Sequence, residues 1–177
     1  GFRFNFEHGS IVSTGFPVIF ARKNVFGVAK LIENPNYYKD LLSEFTDKTD
    51  EEKDEIIMKM RKKADEGNFL VIGRTGSGKT TLLRQLLLDR EKREQNLITI
   101  EDTKELNLPN AIAFLTNKDY GIHDIFKSTL RMNPSRIIVG ETRDATILDI
   151  LEVCLTSKSA TTLHATDLSK AITRIRM

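Results

Sequence analysis

A chain of 177 residues, 40% hydrophobic and 29% charged, has enough apolar mass to build one or two packed domains and is too apolar to stay disordered. Its net charge of +2 gives no global basic field of the kind that draws nucleic acid, and no apolar run is long enough to span a bilayer. The single cysteine, Cys154, excludes an internal disulfide framework and lies in the apolar pattern ILDILEVCL, so it reads as a buried structural thiol. No charged-then-apolar secretory segment opens the chain, and a cytoplasmic location is expected.

In residues 1–23, Phe2, Phe4 and Phe6 alternate with polar residues and FPVIFA forms a short apolar run. Both predict strands, with HGS and STG as turns. Residues 24–48 read as two short helical pieces broken by ENPN. A charge-rich helix is predicted over 46–67, where Thr49 and Glu52 have the spacing of a capping box. Ile56, Met60 and Ala64 recur at helical spacing, Lys62 and Lys63 fall in the last turn, and Gly67 is the stop. From residue 69 strands and helices alternate: FLVIG, KTTLLRQLLLDR, NLITIE, HDIFKSTLRM, RIIVGE, TILDILEVCLT, TTLH and LSKAITRI. That alternation predicts an α/β fold with a parallel sheet covered by helices on both faces. Ligands of such sheets bind beyond the carboxyl ends of the strands, and Gly73, Glu101, Glu141 and His164 all sit at those ends.

Residues 73–80, GRTGSGKT, match G-x-x-x-x-G-K-[ST] between a predicted strand and a predicted helix. Glycines 73, 76 and 78 let the backbone curl so that successive N–H groups, Thr75 and Ser77 included, face phosphate oxygens. The helix start adds the positive end of its dipole. Lys79 is expected to reach the β and γ phosphates, the Thr80 hydroxyl to ligate magnesium, and Thr81 to contact the α phosphate. The strand RIIVGE ends in Gly140-Glu141, with glycine where an Asp usually holds the metal's water shell. Glu141, with Glu101 from ITIEDTKEL, is therefore the expected source of metal-water coordination and water activation. His164 stands beyond another strand end, placed to bond the γ phosphate or a glutamate. His123 reads as a structural residue at a helix start. Arg131, Arg136 and Arg143 bracket the Glu141 strand and are candidates to neutralise charge on the transferring phosphoryl group, although surface pairing is preferred for Arg136. Arg22 and Lys23 close the N-terminal apolar run, from which a hinged domain would bring them to a nucleotide.

Four boxes in order, GRTGSGKTT, TIEDTKEL, LRMNPSRIIVGETRD and TTLHATD, resemble the Walker A, Asp, atypical Walker B and His boxes of the bacterial type II and type IV secretion (traffic) ATPases. LRMNP and ETRD are nearest to the conjugation and type IV secretion branch. The resemblance implies a RecA-like P-loop domain over residues 68–177, truncated at its C-terminus. It implies part of a smaller α+β N-terminal domain over 1–36 and a helical linker region over 37–67. It implies an ATPase motor using ATP and Mg2+, working as a homo-hexameric ring with other secretion components, peripheral to the inner membrane. Glu101, Glu141 and His164 would then be catalytic, and of the three arginines read from the sequence Arg143 is the one placed with them. Thr80 and Glu141 would serve the metal, and Arg22 would be the basic residue directed at the nucleotide. A RecA-like nucleic-acid motor such as a helicase shares the loop and the sheet and stays open as the alternative, although no basic or aromatic-lined strand-binding surface marks this chain.

Overall fold

Two compact units divide the chain after Lys53. The structure, a computed structural model, describes residues 2–7, 18–23, 36–44, 46–88, 96–142 and 146–176. The predicted helical piece within 24–35 lies outside the described residues.

In the first unit, β1 (Phe2–Glu7) and β2 (Val18–Lys23) pair antiparallel, with Phe2 opposite Lys23 and Glu7 opposite Val18. The alternation of phenylalanines thus corresponds to a strand, as expected from its period of two. α1 (Tyr37–Ser43) follows and buries Tyr38. α2 (Asp50–Glu66), which belongs to the second unit from Asp54 on, starts at the predicted capping box. The Thr49 amide donates to Glu52 Oε2 at 3.0 Å, and the Glu52 amide donates to Thr49 Oγ1 at 3.4 Å, so two amides left over by the helix start are satisfied. These bonds, with Lys48 beside it, hold the Glu52 carboxyl below the ordinary glutamate range.

The second unit is built on β3 (Phe69–Gly73), β4 (Leu97–Glu101), β5 (Ile112–Leu115), β6 (Arg136–Thr142) and β7 (Lys158–His164). All pairings are parallel and the spatial order is β3-β7-β6-β4-β5. The intervening helices are α3 (Lys79–Leu88), α4 (Ile122–Thr129), α5 (Ile147–Thr156) and α6 (Leu168–Arg176). Alternate strand residues feed opposite cores. Leu97 and Ile138 pack with Leu83 and Leu87 of α3, while Ile98 and Ile137 pack with Ile125 and Phe126 of α4 and Val153 of α5. Each fully buried aliphatic side chain contributes about 1.5–3 kcal/mol. The sheet is therefore covered on both faces, as the alternation of strands and helices predicted.

The sequence reading departs from the structure in five places, the first being Cys154, which is half-buried rather than buried. β5 is an additional strand at a sheet edge. The helix expected over HDIFKSTLRM ends at Thr129 and tightens into a 3-10 turn over Leu130–Met132, after which Asn133 turns the chain at φ 49°. β7 starts at Lys158, three residues before the predicted strand TTLH. Arg136, expected on the surface, is fully buried: it opens β6 beneath the end of α2 and donates to the carbonyls of Gly67 and Ala64 at 3.0 and 3.1 Å. No helix among the described residues is long and apolar enough to cross a membrane.

Candidate active site

β3 ends at Gly73 and α3 begins at Lys79, so five residues make the turn between them. Gly76 and Gly78 adopt φ +77° and +83°, the left-handed region that only glycine enters freely. At Gly73 the constraint is space, since a Cβ would stand 2.5 Å from Ser77 Oγ. The Ser77 amide donates to the Arg74 carbonyl at 3.2 Å and closes the turn. Residues 74–78 are exposed, and the half-buried Thr80 and Thr81 occupy the first turn of α3. An exposed, glycine-shaped loop opening onto a helix N-terminus fits a phosphate chain.

Lys79 is only 8% exposed, an uncommon position for an ammonium group. Burial pushes its pKa down, and the Glu141 carboxylate pulls it back up. Nζ donates to the Arg74 carbonyl at 2.9 Å, folding the side chain over its own loop. Nζ also lies 3.4 Å from His164 Nδ1, and Thr75 Oγ1 lies 3.3 Å from the same nitrogen. On its other side His164 Nε2 is 2.6 Å from Glu141 Oε1. An ammonium can only donate, so Nδ1 is the acceptor and Nε2–H donates to Glu141. Lys79, His164 and Glu141 thus form a chain of contacts from the phosphate loop across two strand ends. Strand register produces it: Gly73 pairs with His164, and β6 lies on the other side of β7.

Glu101 is placed differently. It ends β4, is 4% exposed, and both carboxylate oxygens are taken. Oε2 accepts the amides of Glu105 and Leu106 at 2.8 and 2.9 Å, and Oε1 accepts the Thr99 hydroxyl at 3.2 Å. Burial pushes its carboxyl above the ordinary glutamate range, against the Leu106 amide, the Thr99 hydroxyl and the charge of Lys104. Leu106 is gripped from its carbonyl as well, by Arg84 Nε of α3 at 2.6 Å. Gly140 stands where an Asp is usual, and a Cβ on residue 140 would stand 3.1 Å from Glu101 Cγ, a tight approach that glycine avoids.

The structure thus brings Gly73, Thr75, Lys79, Glu141 and His164 together, with Ser77 and Thr80 on the same loop and helix start. Arg143 lies outside the described residues. Arg22 stands in β2 opposite Arg3, and its side chain lies outside the described residues. His123 pairs with Asp149 at 2.5 Å, tying α4 to α5. Sequence reasoning missed Arg84, whose signal was an arginine inside the leucine run of α3. It also missed Arg174, which donates to the His164 carbonyl, and Thr162, whose signal was a hydroxyl-rich run in a buried strand. Among the described residues, no cluster of three or more His, Cys, Asp or Glu is arranged to hold a metal ion. A cation here would depend on Thr80, Glu141 and the phosphates themselves, as at sites where Mg2+ keeps most of its water.

A family model described as type II/IV secretion system protein matches residues 35–177, well over half of the chain. The chain belongs to this family. Within the type II/IV secretion family it is 34% identical over 114 residues to the conjugal transfer protein TrbB of Rhizobium radiobacter, covering 61% of this chain and 35% of TrbB. It is 39% identical over 108 residues to the type IV secretion system protein VirB11 of Bartonella quintana, covering 55% of this chain and 30% of that protein. Its fold matches the VirB11 ATPase of Brucella suis, solved in complex with sulphate, with a TM-score of 0.60 and 26% identity over 99% of this chain and 56% of that one. The sheet is accordingly the RecA-like one that the four boxes imply, and the conjugation and type IV secretion branch is where these relatives fall. The chain spans about a third of the length of the curated relatives it matches.

Proposed function

We propose that the protein is an ATP-hydrolysing motor of a type IV secretion, conjugation or pilus-assembly machine. The observation that carries this reading is the convergence of Lys79, His164 and Glu141 on one glycine-shaped loop. The named activity of the Brucella relative, an ATPase, and the sulphate in its structure fit an oxyanion cradle of this kind.

In the proposed mechanism the loop amides and the start of α3 bind the phosphate chain. Lys79 exchanges the Arg74 carbonyl for the β and γ phosphates. Its low exposure keeps the charge poorly screened, so its attraction for developing negative charge is stronger than at a surface. The Thr80 hydroxyl and, through water, Glu141 would hold Mg2+, which supplies charge neutralisation on the phosphates when bound. Glu141 orients the attacking water, and His164 fixes its carboxylate through the Nε2–H bond. Glu101, both oxygens engaged, holds the 105–106 loop and packs on Gly140. It supports the site without meeting the water itself. Arg143, from its place after the Glu141 strand, would neutralise charge on the transferring group, and by resemblance Arg22 would bind nucleotide.

The domain division belongs to the same proposal, with 1–36 in an N-terminal domain, 37–67 a helical linker and 68–177 the ATPase domain. Hydrolysis would drive domain motion in a homo-hexameric ring at the cytoplasmic side of the inner membrane, among other secretion components. Mass measurement of the full chain with and without Mg-ATP tests the ring. A species of six times the chain mass is expected with nucleotide, and a monomer persisting at high concentration with ATP would overturn it.

A further inference from the structure

β7 is an unusual central strand. Strands buried on both faces are mostly Val, Ile and Leu, yet KSATTLH places Ser159, Thr161 and Thr162 in the interior, each no more than 4% exposed. A buried hydroxyl is costly unless it is bonded, so the partners of the two threonines are informative. Thr162 Oγ1 donates to the Gly140 carbonyl at 2.9 Å. Thr161 Oγ1 lies 2.5 Å from Thr142 Oγ1.

Both bonds fall where the register breaks. Val139 pairs with Thr161, but Thr142 pairs with Leu163: three steps along β6 match two along β7. The extra residue is a β-bulge containing Gly140 and Glu141. A bulge takes backbone groups out of the ladder and turns the strand, which re-aims the side chain it carries. Here the bulge delivers Glu141 to within 2.6 Å of His164 Nε2. The Gly140 carbonyl, inside the shifted stretch, accepts the Thr162 hydroxyl. On the other side of Gly140, Glu101 fills the space a side chain would need.

We propose that Thr162 is a positioning residue, whose hydroxyl fixes the Gly140–Glu141 bulge and thereby aims the Glu141 carboxylate at the phosphate loop. The inference rests on the hydrolytic reading above. Thr162 is 1% exposed, and in this role it acts through Glu141 alone. A misplacement of about 1 Å at a reacting group costs up to about a hundredfold in rate, so a loosened bulge should be visible in turnover.

The test is phosphate release by the full chain carrying Thr162→Val, which keeps the shape and removes the hydroxyl. The expected result is a fall in kcat of about tenfold or more with KM for ATP within about threefold, since the loop that binds nucleotide is untouched. Thr162→Ser, which keeps the hydroxyl, should recover turnover to within about threefold of the parent. In a Glu141→Gln background, Thr162→Val should change kcat by less than about twofold, because the group it aims is already gone. If the parent chain hydrolyses ATP and a folded Thr162→Val matches it, the proposal is wrong. It is equally wrong if serine gives no recovery, if the loss persists in the Glu141→Gln background, or if Thr162→Val and Thr162→Ala both fail to fold. If the parent itself releases no phosphate under any Mg-ATP condition, the hydrolytic reading fails first.

Discussion

Glu141→Gln is expected to lower kcat for phosphate release by about 10²–10⁴-fold while leaving nucleotide affinity within a few-fold of the parent. Glutamine has the size of glutamate and keeps an oxygen that can accept His164 Nε2–H, so the strand ends stay packed. It loses the charge and the basicity needed to order and polarise water. It also removes the carboxylate that holds up the pKa of the buried Lys79, leaving burial to push that ammonium down. In the proposed mechanism binding rests mainly on the loop amides and the start of α3, which this change does not touch. Steady-state phosphate release with a parallel nucleotide titration separates the two. A large rise in KM with kcat unchanged would move Glu141 out of the chemistry and into ground-state binding.

The second large effect concerns stability. Arg136→Met is expected to cost about 3 kcal/mol or more, read as a lower urea midpoint at unchanged slope. Arg136 is fully buried and its guanidinium is spread over three carbonyls, of Gly67 at 3.0 Å, Ala64 at 3.1 Å and Ser159 at 3.3 Å. The Phe69 ring lies 5.4 Å from its Cζ, an additional cation–π contact. The Ala64 and Gly67 carbonyls belong to the C-terminal end of α2, where a helix has no partners of its own. Lys158 Nζ serves the neighbouring Asp65 carbonyl at 2.9 Å, so the first residues of β6 and β7 together cap this helix. Methionine fills most of the volume but donates nothing, leaving buried acceptors unpaired. Arg136→Lys should fall between, because an ammonium keeps the charge but not the planar fork that reaches several carbonyls at once.

Much of this was legible in the sequence, for physical reasons that can be named. The parallel sheet announced itself because short, mostly apolar strand runs such as FLVIG and IIVG alternate with helical patterns. The loop was legible because positive φ at residues 76 and 78 demands glycine, and the capping box because its bonds span only three residues. β5 escaped because an edge strand needs little apolar character: Ile112 and Leu115 are about half exposed. Arg136 was misplaced because its acceptors lie 23, 69 and 72 residues away, and its own neighbours in sequence say nothing of them. Glu101 and Glu141 looked equivalent as acids ending apolar strands. The distinction lies in the bulge at Gly140, which aims one, and in the 105–106 amides, which engage the other.

Phosphate release from Mg-ATP by the full chain, compared with Lys79→Ala, tests the central claim most directly. Lys79 is the one buried cation on the loop among the described residues and is replaced there by a side chain that neither bonds nor carries charge. Turnover by the parent and release at background level by Lys79→Ala is the predicted result. Equal turnover by both would contradict hydrolysis at this loop.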